Sequence, residues 1–186
     1  MSSPLKFYYN LKTTPSELSR KSAVGAIRRG GSNIANVRNP CKVGDQVPVG
    51  VPYLGNTRAS ANVSGSNCTK SDGKNVTSFG RLPSGTLGVT CSFFKVQKGY
   101  DPVTTSDLKI NKTSANWTTN PTSKSCKRKF DLESVVTHER GHSFGLGHVS
   151  ESKHGDLTMS TQINGACEAS ERTLGRGDAI ALNHKY

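Results

Sequence analysis

Apolar residues fall along the chain in short alternating runs, broken by long polar stretches, with three segments of helical spacing. Residues 5–11 read as a first strand. From Pro15 to Arg29 the apolar positions Leu18, Val24 and Ile27 form one stripe, which predicts an amphipathic helix. Gly30 and Gly31 are expected to interrupt it, although the apolar residues at 34–37 can continue the pattern. Residues 39–73 are rich in Gly, Asn and Ser without clear periodicity and read as an irregular excursion. Residues 76–79 form a short strand. Residues 87–94 form a stronger one, with Val89, Cys91 and Phe93 on one face, and 107–110 a further short one. Residues 111–128 are polar and loop-like. Asp131 is placed to cap a helix running through Leu132, Val135 and Val136, and residues 174–186 predict a last helix with Ala179, Leu182 and Tyr186 on one stripe. No internal repeat is present.

This pattern fits one domain of 186 residues with a modest core, since only 32% of residues are hydrophobic. No apolar run is long enough to span a membrane, and the first residues lack the apolar region of a signal peptide. The formal net charge is +12, but the basic residues are dispersed, with small clusters at 124–129 and at Arg28 and Arg29. No aromatic interleaving or nucleic-acid motif accompanies them, so a solvated basic surface is expected rather than a nucleic-acid partner.

The five cysteines, Cys41, Cys68, Cys91, Cys126 and Cys167, contain no C-x-x-C pair, which argues against a cysteine zinc cluster. They suggest two disulfides and one remaining thiol in an exported protein. Five glycosylation-type sequons, at Asn62, Asn67, Asn75, Asn111 and Asn116, are compatible with export but arise readily by chance in a chain this rich in Asn, Ser and Thr. The expected pairs are Cys41–Cys68 and Cys126–Cys167, with Cys91 free, although spacing alone leaves other pairings open.

The chemistry is concentrated in Thr137-His138-Glu139-Arg140-Gly141-His142-Ser143-Phe144-Gly145-Leu146-Gly147-His148. Histidines four apart on a helix project from one face and can hold one zinc ion. Glu139 lies beside the first of them, placed to reach a metal-bound water rather than the metal. Gly145 can adopt positive φ, end the helix and turn the chain back, bringing His148 in as a third ligand. Three protein ligands leave one position open for water, as hydrolysis needs. With this composition the five fixed positions match by chance about once in a hundred thousand chains, which sets aside a surface helix with incidental histidines. A purely structural zinc site would not need a carboxylate at position 139. Arg140 is expected to point away from the metal, and His154 and His184 to be surface residues.

The stretch from His138 to His148, followed eleven residues later by Met159 in Leu157-Thr158-Met159-Ser160, resembles the metzincin clan of zinc peptidases, with its H-E-x-x-H-x-x-G-x-x-H motif and Met-turn. Within that clan the chain is similar to the matrixins. Residues 87–94 match their edge strand above the cleft, Ser106-Asp107-Leu108-Lys109 with Trp117-Thr118 their fifth strand and its sequel, and residues 174–179 with Tyr186 their C-terminal helix. The resemblance covers most of residues 75–186. It implies an α+β fold: a twisted mixed sheet, an active-site helix, and a small C-terminal subdomain holding the Met-turn and a final helix. It implies one catalytic domain over 1–186, with an upper subdomain to about 147 and a lower one from about 148. His138, His142 and His148 would be the zinc ligands, Glu139 the general base, Met159 an apolar floor beneath the imidazoles and Asp178 a brace for that floor.

The chain also departs from the matrixin pattern. Cys91 and Lys109 stand near the positions where matrixins carry histidines for a structural zinc, and no His precedes residue 138. One zinc ion is therefore expected. Asp72, Asp101 or Asp107 alone would make poor zinc sites, and no EF-hand-like spacing supports calcium. A Cys68–Cys91 bridge, in the region of that missing zinc, competes with the pairing above. Ser160-Thr161-Gln162-Ile163 replaces the matrixin Pro-x-Tyr wall, and residues 160–173 are expected to shape the pocket beyond the scissile bond. Together these readings predict a secreted, monomeric zinc endopeptidase acting on proteins or peptides laid along residues 87–94. The alternatives are a non-catalytic binding module stabilised by zinc and a zinc amidase acting on cell-wall peptides.

Overall fold

The computed structural model describes residues 3–96, 98, 103–163 and 165–186. Along the chain run β1 (Phe7–Tyr9), α1 (Arg20–Ala35), β2 (Tyr53–Asn56), β3 (Val63–Ser64), β4 (Asn67–Cys68), β5 (Val76–Gly80), β6 (Gly88–Phe94) and β7 (Val103–Asn111). They are followed by β8 (Trp117–Thr118), β9 (Phe130–Asp131), α2 (Leu132–Ser143), α3 (Glu151–His154) and α4 (Arg176–Lys185). The fold is α+β, as the resemblance implies. Five strands form a mixed sheet in the order β2-β1-β5-β7-β6, parallel except for the antiparallel β6–β7 pair, which leaves β6 on one edge. No helix among the described residues is long and apolar enough to cross a membrane.

Two apolar clusters explain why the helices lie where they do. Phe7, Tyr9, Phe79, Leu108 and Ile110 of the sheet meet Ala23 and Ile27 of α1 and Leu132, Val135 and Val136 of α2, with Trp117 closing the end. A second cluster joins Ile34 and Ala35, at the end of α1, to Phe144, Leu146, Met159, Leu174, Ala179 and Leu182.

Gly30 and Gly31 do not interrupt α1, which is continuous through Ala35. The expectation from propensity, about 1 kcal/mol per glycine against alanine, is overridden by packing. A Cβ on Gly30 would stand 2.7 Å from Cγ1 of Val136 and 3.0 Å from the Thr137 nitrogen, and one on Gly31 would stand 2.9 Å from Cγ1 of Val51. The glycines let α2 lie directly on α1. Polar groups secure that contact: buried Asn33 donates to Glu133 Oε1 (3.2 Å) and to Thr137 Oγ1 (3.1 Å), and Arg29 pairs with Glu133 at 2.6 Å.

The expected cysteine pairing needs correction. Cys126–Cys167 is present, but the second bridge is Cys68–Cys91, and Cys41 is an exposed thiol. The excursion at 39–73 is less irregular than its composition suggests. It supplies edge strand β2 and the β3–β4 hairpin, which folds onto the sheet so that Ala61, Val63, Leu82 and buried Cys91 pack together. That packing carries Cys68 to Cys91. Lys109 Nζ donates to the Val63 carbonyl, and buried Asp107 accepts from the Asn62 and Val76 amides, so both side chains are committed to holding the excursion. Asp72 accepts from the Lys74 amide in a turn, and Asp101 lies outside the described residues. The polar segment at 111–128 contains β8, which pairs in parallel with β9.

Alkylation of the native protein should therefore label Cys41 and no other cysteine, and non-reducing peptide mapping should recover Cys68 joined to Cys91. Labelling of Cys91 without reduction would refute the arrangement. Replacing both Cys126 and Cys167 by Ser, which frees a 41-residue separation, should lower unfolding stability by about 2–4 kcal/mol in a denaturant titration.

Candidate active site

The motif helix α2 is built locally as the sequence suggests. Asp131 accepts from the Ser134 amide at 3.0 Å, capping its N-terminus. At its other end Gly145, with φ of +85°, donates to the His142 carbonyl (2.9 Å), and Leu146 donates to the Gly141 carbonyl (2.9 Å). These two bonds make a Schellman motif, and the turn swings the following residues back over the helix. His138, His142 and His148 are brought together by this turn, with their Nε2 atoms 3.0–3.1 Å apart.

The hydrogen bonds on the far side of two rings decide what the near side can do. His138 Nδ1 donates to the Thr158 carbonyl at 2.7 Å, and His142 Nδ1 donates to the Leu146 carbonyl at 2.9 Å. Both carbonyls hold the proton on Nδ1, so each Nε2 presents a lone pair to the common centre. Burial first, then the neighbouring His142, lowers the His138 pKa to about 4, against the Thr158 carbonyl; His148 is lowered by burial and by His142. Neutral imidazoles converging this closely repel unless a cation lies among them. Nitrogens about 2.0–2.1 Å from one shared zinc ion stand at comparable separations, so the donor set fits zinc. The three histidines are the one group of metal-capable side chains found among the described residues.

Glu139 is 5% exposed and lies at the base of a cleft of about 810 Å³, with the three histidines. The cleft is further lined by residues 85–90, by Phe130 and Val135, and by Thr161, Gln162 and Ile163. Of the segment 160–173, only these last three residues line the cleft among those described. Glu151 holds them, accepting from the Gln162 amide at 3.1 Å. Burial pushes the Glu139 carboxyl above the ordinary carboxylate range, opposed by His142, the Thr90 hydroxyl and Arg140. Arg140 points the other way: fully buried, it donates to Thr77 Oγ1 at 2.7 Å and lies 4.9 Å from the centre of the Phe7 ring. His154 and His184 are exposed.

Met159 is buried and packs against Gly141, whose position leaves no room for a Cβ beside the Met sulfur. Asp178 stands behind it, accepting from the Thr158 amide at 2.8 Å and the Gly175 amide at 3.2 Å. A chain of contacts thus runs from α4 through Asp178 and Thr158 to the His138 ring.

Sequence reasoning missed Gly88, Thr90 and Phe130 in the cleft. Strand alternation carried the signal for the first two, because Gly88 and Thr90 lie on the face opposite Val89 and Cys91. The sequence profile of the family described as Matrixin matches residues 85–186, more than half of the chain. No curated protein matches.

Gly141→Ala should displace Met159 and cost about 1–3 kcal/mol of stability by overpacking, with weaker metal retention in chelator competition. Gly147→Ala, where a Cβ meets nothing within 4 Å, is the control. Equal stability of the two variants would show that the Gly141–Met159 contact carries no such role.

Proposed function

The chain belongs to the matrixin family of zinc metallopeptidases, and from that premise we propose that it is a secreted endopeptidase whose zinc is held by His138, His142 and His148 and whose general base is Glu139. The observation that carries this reading is the convergence of three Nε2 atoms beside a buried carboxylate in one cleft. Two disulfides are consistent with an extracellular protein. Residues 1–186 act in this proposal as one monomeric catalytic domain, with the parts before and after about residue 147 forming the two sides of the cleft and Met159 its floor.

Zinc, when bound, supplies Lewis acidity that favours ionisation of water and polarises a carbonyl. The protein's own groups do the rest. A substrate peptide would lie extended and pair with β6, which as an edge strand offers unpaired amides and carbonyls. Glu139 would take a proton from the attacking water and pass it to the leaving amine, ending as the carboxylate it began as. Its burial in the cleft limits exchange of that proton with bulk solvent between the two halves. Phe130, Val135 and Ile163 give the cleft an apolar lining, suited to an apolar side chain after the scissile bond.

Glu139→Ala should keep the fold and the zinc while losing about 100- to 10,000-fold in peptide hydrolysis, the usual share of a general base. Retention of more than about a tenth of the activity would remove Glu139 from that role. Chelation should abolish casein or peptide cleavage, and about one equivalent of zinc per chain should restore it. Two zinc ions retained after dialysis, by elemental analysis, would reveal a second ligand set and overturn the single-zinc reading. Zinc binding without turnover of any peptide library would favour a binding module instead.

A further inference from the structure

Glu139 is held by the edge strand as well as by its own helix. Thr90 of β6 places its hydroxyl 2.6 Å from Glu139 Oε2 and 2.9 Å from the Glu139 main-chain carbonyl. Two residues earlier, Gly88 lets the carboxylate approach the strand: a Cβ there would stand 2.5 Å from Oε1 and 2.7 Å from Cγ. The strand segment is itself tied to α2, because Ser106 donates to Ser143 Oγ at 2.8 Å and its hydroxyl lies 3.1 Å from that of Ser92. The two oxygens of Glu139 are therefore not equivalent. Oε2 is engaged by a hydroxyl donor, and Oε1 lies over the open backbone of Gly88.

We propose that Thr90 is a positioning residue for hydrolysis, its hydroxyl fixing Oε2 of Glu139 so that Oε1 takes the proton of the attacking water. This rests on the reading of Glu139 as general base. The step balances within the site. A water O–H bond breaks as an O–H bond forms at Oε1, and the hydroxide attacks the scissile carbonyl. The same proton then leaves Oε1 for the amide nitrogen as the C–N bond breaks, the amine departs, and the carboxylate is restored. When the carboxylate turns towards the amine, the half-buried Thr90 hydroxyl keeps a partner in the Glu139 main-chain carbonyl. A single hydroxyl with two acceptors on one residue thus serves both positions of the base. The strand that would carry the substrate also sets the orientation of the group that attacks it, and this links substrate register to catalytic geometry.

The test compares zinc-loaded wild type with Thr90→Val, Thr90→Ser and Glu139→Gln on one fluorogenic peptide. Thr90→Val keeps the shape and removes the hydroxyl. Its kcat should fall about 10- to 100-fold, the range of a charge-assisted hydrogen bond, with KM changed less than about twofold. Thr90→Ser should recover most of the rate. The zinc dissociation constant, from chelator competition, should be the same in all four proteins, and a crystal structure of zinc-loaded Thr90→Val should show the Glu139 carboxylate turned away from β6. Wild-type kcat in Thr90→Val, or an equal fall in Thr90→Ser and Thr90→Val, overturns the proposal. If Thr90→Val does not fold, Thr90→Ala against Thr90→Ser carries the same comparison. Glu139→Gln separates the two levels: activity there sinks the assignment of the base itself, whereas an inactive Glu139→Gln beside a fully active Thr90→Val sinks only the role of Thr90.

Discussion

Three imidazole nitrogens 3.0–3.1 Å apart make a demanding arrangement, because neutral rings do not gather their lone pairs spontaneously. Two of the rings are held from behind by main-chain carbonyls. His138 and His142 come from consecutive turns of one helix, which fixes their spacing but not their rotation about χ1 and χ2. The Thr158 and Leu146 carbonyls fix the rotation. The Leu146 carbonyl is in place because the Schellman turn at Gly145 returns the chain over the helix end. The Thr158 carbonyl is in place because Asp178 accepts from the Thr158 amide on the other side of the same residue. Buried Asp178 is costly to desolvate, and burial raises its pKa, but the amides of Thr158, Gly175 and Met159 compensate it. Its position at the start of α4, where amide groups point outward, adds to that compensation.

The helix that supplies the rings is secured by charge on one side and by shape on the other. Glu133 in its first turn is buried and faces Arg29 at 2.6 Å, Arg172 at 3.6 Å and Arg38 at 3.9 Å. Arg172 also forks onto buried Asp131, the helix cap, at 2.7 Å through each of two nitrogens. The carboxylates are buried while Arg29 and Arg38 are half-exposed, so solvent screening and desolvation consume much of the attraction. Here they fix α2 in rotation and height against α1 and the chain after the Met159 turn. The glycines at 30 and 31 then let the helices close, and the hydrophobic contact of Val136 supplies the stabilisation that the charges do not.

How much of this was legible in sequence depended on whether the cause was local. The histidine spacing, the Asp131 cap and the Gly145 turn are local, and the structure assembles them as the pattern suggests. The continuity of α1 was not legible, because the glycines answer to Val136 and Val51, which lie far away in sequence. Of the expected cysteine pairs, Cys126–Cys167 is present and Cys41–Cys68 is not, for the same reason. Whether Cys68 meets Cys41 or Cys91 depends on which way the excursion folds, and composition without periodicity gives no direction. Thr90 lies between these cases. Alternation puts it opposite Cys91, facing inward, but only the height of α2 over the sheet makes Glu139 its partner.

The edge strand shows what the excursion contributes. In the matrixins that the chain resembles, a structural zinc braces this region; here Cys91 and Lys109 stand near the positions of its ligands. Cys91 is joined to Cys68, Lys109 reaches the Val63 carbonyl, and Asp107 takes the Asn62 and Val76 amides. A covalent bond, a cation on a carbonyl and a carboxylate on the Asn62 amide thus fasten the hairpin region to β6 and β7. These braces differ from a metal in one physical respect. None of them needs a bound ion, so the brace on β6 is made by the chain's own groups. The alignment of β6 against α2, on which the Thr90–Glu139 contact depends, thus rests on a disulfide, on hydrogen bonds and on the Ser92–Ser106–Ser143 contacts.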